Sequence, residues 1–232
     1  MSPYKKLTIQ LETATGEIRT REITPLIEKV LTADEQAALT PDGVITGLKA
    51  GNQRFVEGDL TARDHTVQIR KTVGGQFPKA VILSCVDSRV PVEDVFDKGI
   101  GDIFVARVAG NFVNEDILGS MEFGCKVSGS KVILVLGHEH CGAVKAAVDD
   151  VKLGNITAML SKIRPAVESV VYDGDRTSKN EEFVHLACES NIRKTIQDIR
   201  TNSPILKEME DKGEIKIIGG VYDMDTGEVD FL

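Results

Sequence analysis

Two stretches of this chain, Ala80-Val-Ile-Leu83 and Val132-Ile-Leu-Val-Leu136, are apolar at every position. A strand with one face in water alternates apolar with polar residues, so strands like these must be covered on both sides. In practice that means a parallel sheet whose crossover helices lie on its two faces. The rest of the sequence supplies the helices. Short strands are predicted over residues 80–85, 102–107, 131–137 and 214–219, with helices over 91–97, 114–127 and 143–151 between the first three and after them. Longer helices are predicted over 158–172 and 181–200 and a shorter one over 204–212. A closing hairpin over 220–232 is expected to turn at Asp225-Thr226-Gly227. The expected fold class is α/β, with a mainly parallel central sheet flanked by helices.

Ahead of this pattern, residues 4–23 alternate about a Thr15-Gly16 turn, which predicts an antiparallel hairpin. Residues 1–39 therefore read as an amino-terminal extension, a hairpin plus linker. The signal Thr40-Pro41-Asp42 opens a helix carrying Val44, Ile45, Leu48, Phe55 and Val56. From there, residues 40–232 form one α/β domain that holds the motifs described below. A net charge of -8 with scattered Lys and Arg argues against nucleic acid or an anionic membrane as partner. No run reaches the roughly 18 apolar residues of a membrane span, and the first residues lack a signal peptide's apolar core. The expected location is cytoplasmic, or periplasmic had a leader been removed.

Of the four cysteines, Cys125 and Cys188 fall in apolar-periodic helical stretches and are expected as small buried hydrophobes. The other two need another explanation. Cys85 lies in Ser84-Cys85-Val86-Asp87-Ser88-Arg89 at one strand end, and Cys141 in Gly137-His138-Glu139-His140-Cys141-Gly142 at another. Parallel sheets gather ligands at the carboxyl ends of their strands, so the two motifs can converge there. Two thiolates and an imidazole suit zinc, and three protein ligands leave a fourth position open for chemistry. His138 is the expected imidazole in preference to His140, because it follows the strand directly. Gly137 and Gly142 are expected to permit a tight bend. Arg89 can grip the Asp87 carboxylate at two points and keep it ionised.

Together these motifs, with Val90-Pro91, Asn52-Gln-Arg54-Phe55, residues 102–107 and Ala109-Gly110-Asn111, resemble the β-class carbonic anhydrases over about residues 40–222. The resemblance implies Cys85, His138 and Cys141 as zinc ligands, an Asp87–Arg89 dyad, and a four-stranded parallel core sheet in a homodimer or homotetramer. It implies reversible hydration of carbon dioxide to bicarbonate by zinc-bound hydroxide, with an alkaline optimum expected from two thiolate ligands. At lower pH, Asp87 would leave Arg89 and close the fourth zinc position. Gln76, Phe104, Phe123 and Gly142 are the implied substrate-binding positions. Gly75-Gln76 points to the plant-like branch, and the absence of Trp argues against the regulatory bicarbonate site of the other. Glu139 stands where the family usually has Thr or Ser, and the hairpin takes the place of the helical arms of many relatives. His140 is a candidate proton carrier, although a solvent-facing histidine is the expected reading. His65 and His185 have no motif beside them.

Other chemistries remain open to this sequence. Hydrolysis of carbon disulfide or carbonyl sulfide uses the same ligands. A permanently closed structural zinc site needs no catalysis. A phosphatase or sulfurtransferase with Cys85 as nucleophile is disfavoured, since only three residues separate Cys85 from Arg89 and Asp87 would repel an oxyanion.

Overall fold

A computed structural model describes residues 26–232 in full and, before them, the backbone of strands β1 (Leu7–Glu12) and β2 (Ile18–Ile23). These two pair antiparallel from Leu7↔Ile23 to Glu12↔Ile18, as the alternation predicts, while the Thr15-Gly16 turn lies outside the described residues. The segment that follows is fastened to the domain. Ile27 bridges to the Ala62–Asp64 stretch, and the buried Gln36 in α1 (Ala33–Ala37) donates to the Pro78 and Ser128 carbonyls.

The domain holds α2 (Pro41–Val56), α3 (His65–Thr72), β3 (Ala80–Ser84), α4 (Val92–Val95), β4 (Ile103–Arg107), α5 (Glu115–Glu122), β5 (Val132–His138), α6 (Gly142–Val148), α7 (Gly154–Leu160), α8 (Arg164–Ser169), α9 (Glu181–Asn202), α10 (Pro204–Asp211), β6 (Lys216–Tyr222) and β7 (Val229–Phe231). The sheet order is β4-β3-β5-β6-β7, in which the first four strands run parallel and β7 returns antiparallel. This is the expected mainly parallel α/β architecture. β3 and β5 are buried at every position, with α2 and α4 against one face and α9, α10 and α5 against the other. A fully buried Leu or Ile contributes about 1.5–3 kcal/mol, so the all-apolar runs at the middle of the sheet anchor the core.

Three elements depart from expectation. The helix predicted over 158–172 is broken into α7 and α8. Pro165 sits in the first turn of α8, where its missing N–H costs nothing, whereas within a continuous helix it could not bond back to Ser161. The helix over 114–127 is α-helical only to Glu122 and then widens into a π turn over Phe123–Val127. The segment over 91–97 yields only the four-residue α4. Helices α1 and α3 were not foreseen; α3 buries only Gln68 and so has no apolar period to read.

Candidate metal centre

Adjacent strands set the site. Ser84 ends β3 opposite Leu136 of β5, so Cys85 and His138 leave the sheet side by side. Cys141, the residue that caps α6, completes the group, and the three ligand atoms lie within 4.8 Å of one another. All three side chains are buried.

The donor set fits zinc on several grounds. With zinc–sulfur bonds of about 2.3 Å and zinc–nitrogen bonds of about 2.0 Å, tetrahedral ligand atoms stand within 4 Å of one another, a small contraction from the observed spread. His138 Nδ1 lies 2.8 Å from the Glu139 carbonyl; donation there fixes the tautomer and leaves Nε2 as a lone pair. That Nε2 is buried with no hydrogen-bond partner among the described residues. A buried nitrogen without a partner costs roughly 1–3 kcal/mol, and an ion removes the debt. The two thiols interact directly. Donation from Cys141 and from the Gly110 N–H pulls the Cys85 thiol well below its ordinary value against the effect of burial. The same pairing, with burial, pushes Cys141 up. The pair thus gives up its first proton readily and holds its second, which a bound cation would release.

Beside the cluster, Asp87 receives two bonds from the Arg89 guanidinium, Nε to Oδ1 at 3.0 Å and Nη2 to Oδ2 at 2.8 Å, and a third from the Arg89 N–H at 3.0 Å. This grip holds the Asp87 carboxyl well below the usual carboxylate range. Asp87 Oδ2 stands 3.9 Å from His138 Nε2, so an ionised acceptor borders the position a metal would occupy.

The bend between His138 and Cys141 is made differently from the expectation. His140, at φ 54, takes the left-handed conformation, and neither Gly137 nor Gly142 has a positive φ. Gly137 is needed for packing: a Cβ there would stand 2.7 Å from Ile192 and 2.9 Å from the Cys188 sulfur. Gly110 is required twice over, by φ +82 and by a Cβ position only 2.3 Å from Ile163. Gly142 opens α6 with no neighbour within 4 Å of its Cβ position, which leaves space next to Cys141.

Gln76, Phe104 and Phe123 are not brought to the cluster within this chain. Phe104 pairs with Val81, three residues down the strand from Ser84 and roughly 10 Å away along it. Its ring lies 6.3 Å from that of Phe123, and both line a groove of about 700 Å³ with Val81, Ile117 and Ser120. Gln76 is exposed near Gly101, at the amino end of the sheet.

Four residues that sequence reasoning left without a role serve the site. Arg107 donates from Nε to the Cys85 carbonyl at 3.0 Å and from Nη2 to the Asp87 carbonyl at 2.7 Å, pinning the loop that carries both. His185, Cys188 and Asn191 reach the metal loops from α9. Only Arg107 had a signal, its place at the carboxyl end of a predicted strand. Cys125 and Cys188 are buried as expected, and burial raises each thiol to about 12.

The family model for carbonic anhydrase matches residues 80–229. "Carbonic anhydrase 2" of Mycobacterium tuberculosis is 35% identical over 186 residues, covering 78% of this chain and 87% of that protein. Among solved structures, the β-carbonic anhydrase CcaA superposes with a TM-score of 0.65 at 24% identity over 82% of this chain and 98% of that one. One of two tetrameric β-carbonic anhydrases from Sordaria macrospora gives a TM-score of 0.62 at 22% identity over 71% and 85%. Because the matched region runs through both ligand loops and the sheet that aligns them, the chain belongs to the β-class carbonic anhydrases, a family of zinc enzymes.

Proposed function

We propose that the protein catalyses the reversible hydration of carbon dioxide to bicarbonate and a proton, with Cys85, His138 and Cys141 holding zinc and Asp87–Arg89 orienting the attacking oxygen. When bound, zinc supplies the Lewis acidity that makes hydroxide available near neutral pH. Asp87, ionised and able only to accept, would accept a hydrogen bond from the attacking hydroxyl and so turn its lone pair toward carbon dioxide. Arg89 keeps Asp87 in that state and in that place. The observation that carries the reading is Asp87 Oδ2 at 3.9 Å from the partnerless His138 Nε2, with both carboxylate oxygens already engaged by Arg89. The same engagement speaks against a structural site in which Asp87 closes the tetrahedron.

The substrate wall and the assembly belong to the same proposal. Phe123 is 53% exposed and Val127 72% exposed, beside β4, whose outer edge pairs with no strand among the described residues. An apolar groove at an open sheet edge suits a second copy of the chain. In such a homodimer, or a homotetramer built from it, Gln76, Phe104 and Phe123 would serve substrate binding across the subunit boundary, with Gly142 lining the site beside Cys141. Gly75-Gln76 supports the plant-like branch, and the lack of Trp speaks against the regulatory bicarbonate site of the other.

Stopped-flow hydration of carbon dioxide, run across pH beside sulfide release from carbon disulfide and carbonyl sulfide, tests the activity. Fast hydration with negligible sulfide is expected, and Asp87→Asn should keep its zinc while losing about 10²-fold in rate, the lower end for a positioned proton acceptor. Sulfide release outpacing hydration would overturn the substrate assignment.

A further inference from the structure

One helix face backs the metal loops. From α9, His185 Nδ1 lies 2.5 Å from Glu139 Oε1, the Cys188 thiol donates to the His138 carbonyl at 3.5 Å, and Asn191 Nδ2 donates to the Gly110 carbonyl at 2.8 Å. Residues spaced by three on a helix are neighbours on its surface, so these contacts form one stripe. The Cys188 contact ends on the backbone of His138 itself, and the other two end one hydrogen bond short of a ligand. Glu139, held through its side chain, presents the carbonyl that fixes the His138 ring. Gly110, held through its carbonyl, directs its N–H at the Cys85 sulfur, 3.4 Å away. Gly137 allows the helix to come this close.

We propose that His185, Cys188 and Asn191 are positioning residues for the zinc ligands, and that the Glu139–His185 contact is this chain's own means of orienting His138. The loop it steadies contains the left-handed His140, a conformation that costs a non-glycine residue of order 1 kcal/mol and persists only when its surroundings hold it. Glu139 occupies the position where a short hydroxyl side chain could not reach α9. Groups that orient a ligating imidazole typically govern metal affinity by 10–100-fold.

The inference rests on the zinc reading, and the test separates the two. Zinc affinity of the purified full chain is measured by competition with a chromophoric chelator, and the visible absorption of the cobalt-substituted protein reports ligand geometry. His185→Ala and Asn191→Ala are expected to weaken zinc binding about 10-fold or more and to alter the cobalt bands. His185→Asn, which keeps an N–H donor where Nδ1 stands, should recover most of the loss. Arg193→Ala, an exposed site on the same helix, should behave as wild type. Because His185 is at the surface, its variants test the idea even if Asn191→Ala fails to fold. Alanine variants with wild-type affinity and spectrum would overturn the proposal, as would a loss at His185→Ala that His185→Asn does not repair. A wild type that binds no zinc would overturn the metal reading itself.

Discussion

The fold buries two polar centres, one at each end of its sheet, and finishes them in opposite ways. Asp97, 1% exposed, receives Thr61 N and Arg63 Nη1 on one oxygen and Thr61 Oγ1 and Arg54 Nε on the other. Nothing there is left to bond. At the carboxyl end, His138 Nε2, Asn111 Nδ2, Asn191 Oδ1 and Ser84 Oγ are buried without partners, and among the described residues these four are all that lack one. Each lies on or next to the loops that carry Cys85, Gly110 and His138. The chain therefore satisfies its own charge where the task is to hold the segment around Thr61 against the domain, and keeps the His138 Nε2 lone pair unpartnered where an ion would take it. Both centres contain conspicuous charged side chains; satisfaction, and not charge, tells them apart.

The most severe test of this contrast removes a ligand. Cys141→Ser should lose stoichiometric zinc and, with it, hydration activity on the order of 10³-fold or more, as the Lewis acid is lost; full metal and full rate would break the ligand assignment. At the other pole, Asp97→Ala leaves Arg54 and Arg63 with backbone carbonyls but without their shared carboxylate and should destabilise the protein by about 3–5 kcal/mol in urea unfolding, while the molecules that remain folded keep their zinc. An acid titration sharpens the point. Burial alone would raise the Asp97 pKa, but donors from Arg63, Thr61 and Arg54 outweigh it and the net shift is downward. A depressed folded-state pKa adds stability above the unfolded value of about 3.9 and loses it as pH falls through the folded value. Wild type should therefore weaken progressively below about pH 4, and Asp97→Asn should flatten that part of the profile. The smallest effect is expected at His140, whose side chain is 37% exposed with Glu181 4.0 Å away. His140→Gly relieves the left-handed backbone at the cost of chain entropy, so stability should change by no more than about 1 kcal/mol. The rate in well-buffered solution should not move, and a fall that imidazole buffer restores would make His140 the proton carrier after all.

What the sequence made legible follows the strength of each local signal. The ligand set could be read because two short motifs each end a strand that is apolar throughout, and a parallel sheet brings such ends together. Thr40-Pro41 marked the start of α2 because a capping hydroxyl and a proline with no N–H to lose both favour a first turn. Residues 158–172 misled because Leu160, Ile163 and Val167 keep helical spacing across a break that Pro165 imposes on the backbone. The parts played by His185 and Asn191 left no trace: each acts through a carbonyl or a side chain more than forty residues away, and one-dimensional periodicity does not encode that distance. Gly137 stands out in the sequence but its reason does not, since close packing against a helix and a left-handed turn call for the same amino acid.

The closing hairpin acts as a keystone for the metal loop. The Glu139 N–H bonds the Tyr222 carbonyl on β6, and Asn52 in α2 exchanges hydrogen bonds with Gly227 and Val229 in that hairpin. Since β5 and β6 stay paired as far as His138↔Tyr222, the loop between His138 and Cys141 is braced by a strand far away in sequence. The ligand geometry is therefore a property of the assembled sheet and not of the short motif that supplies the ligands.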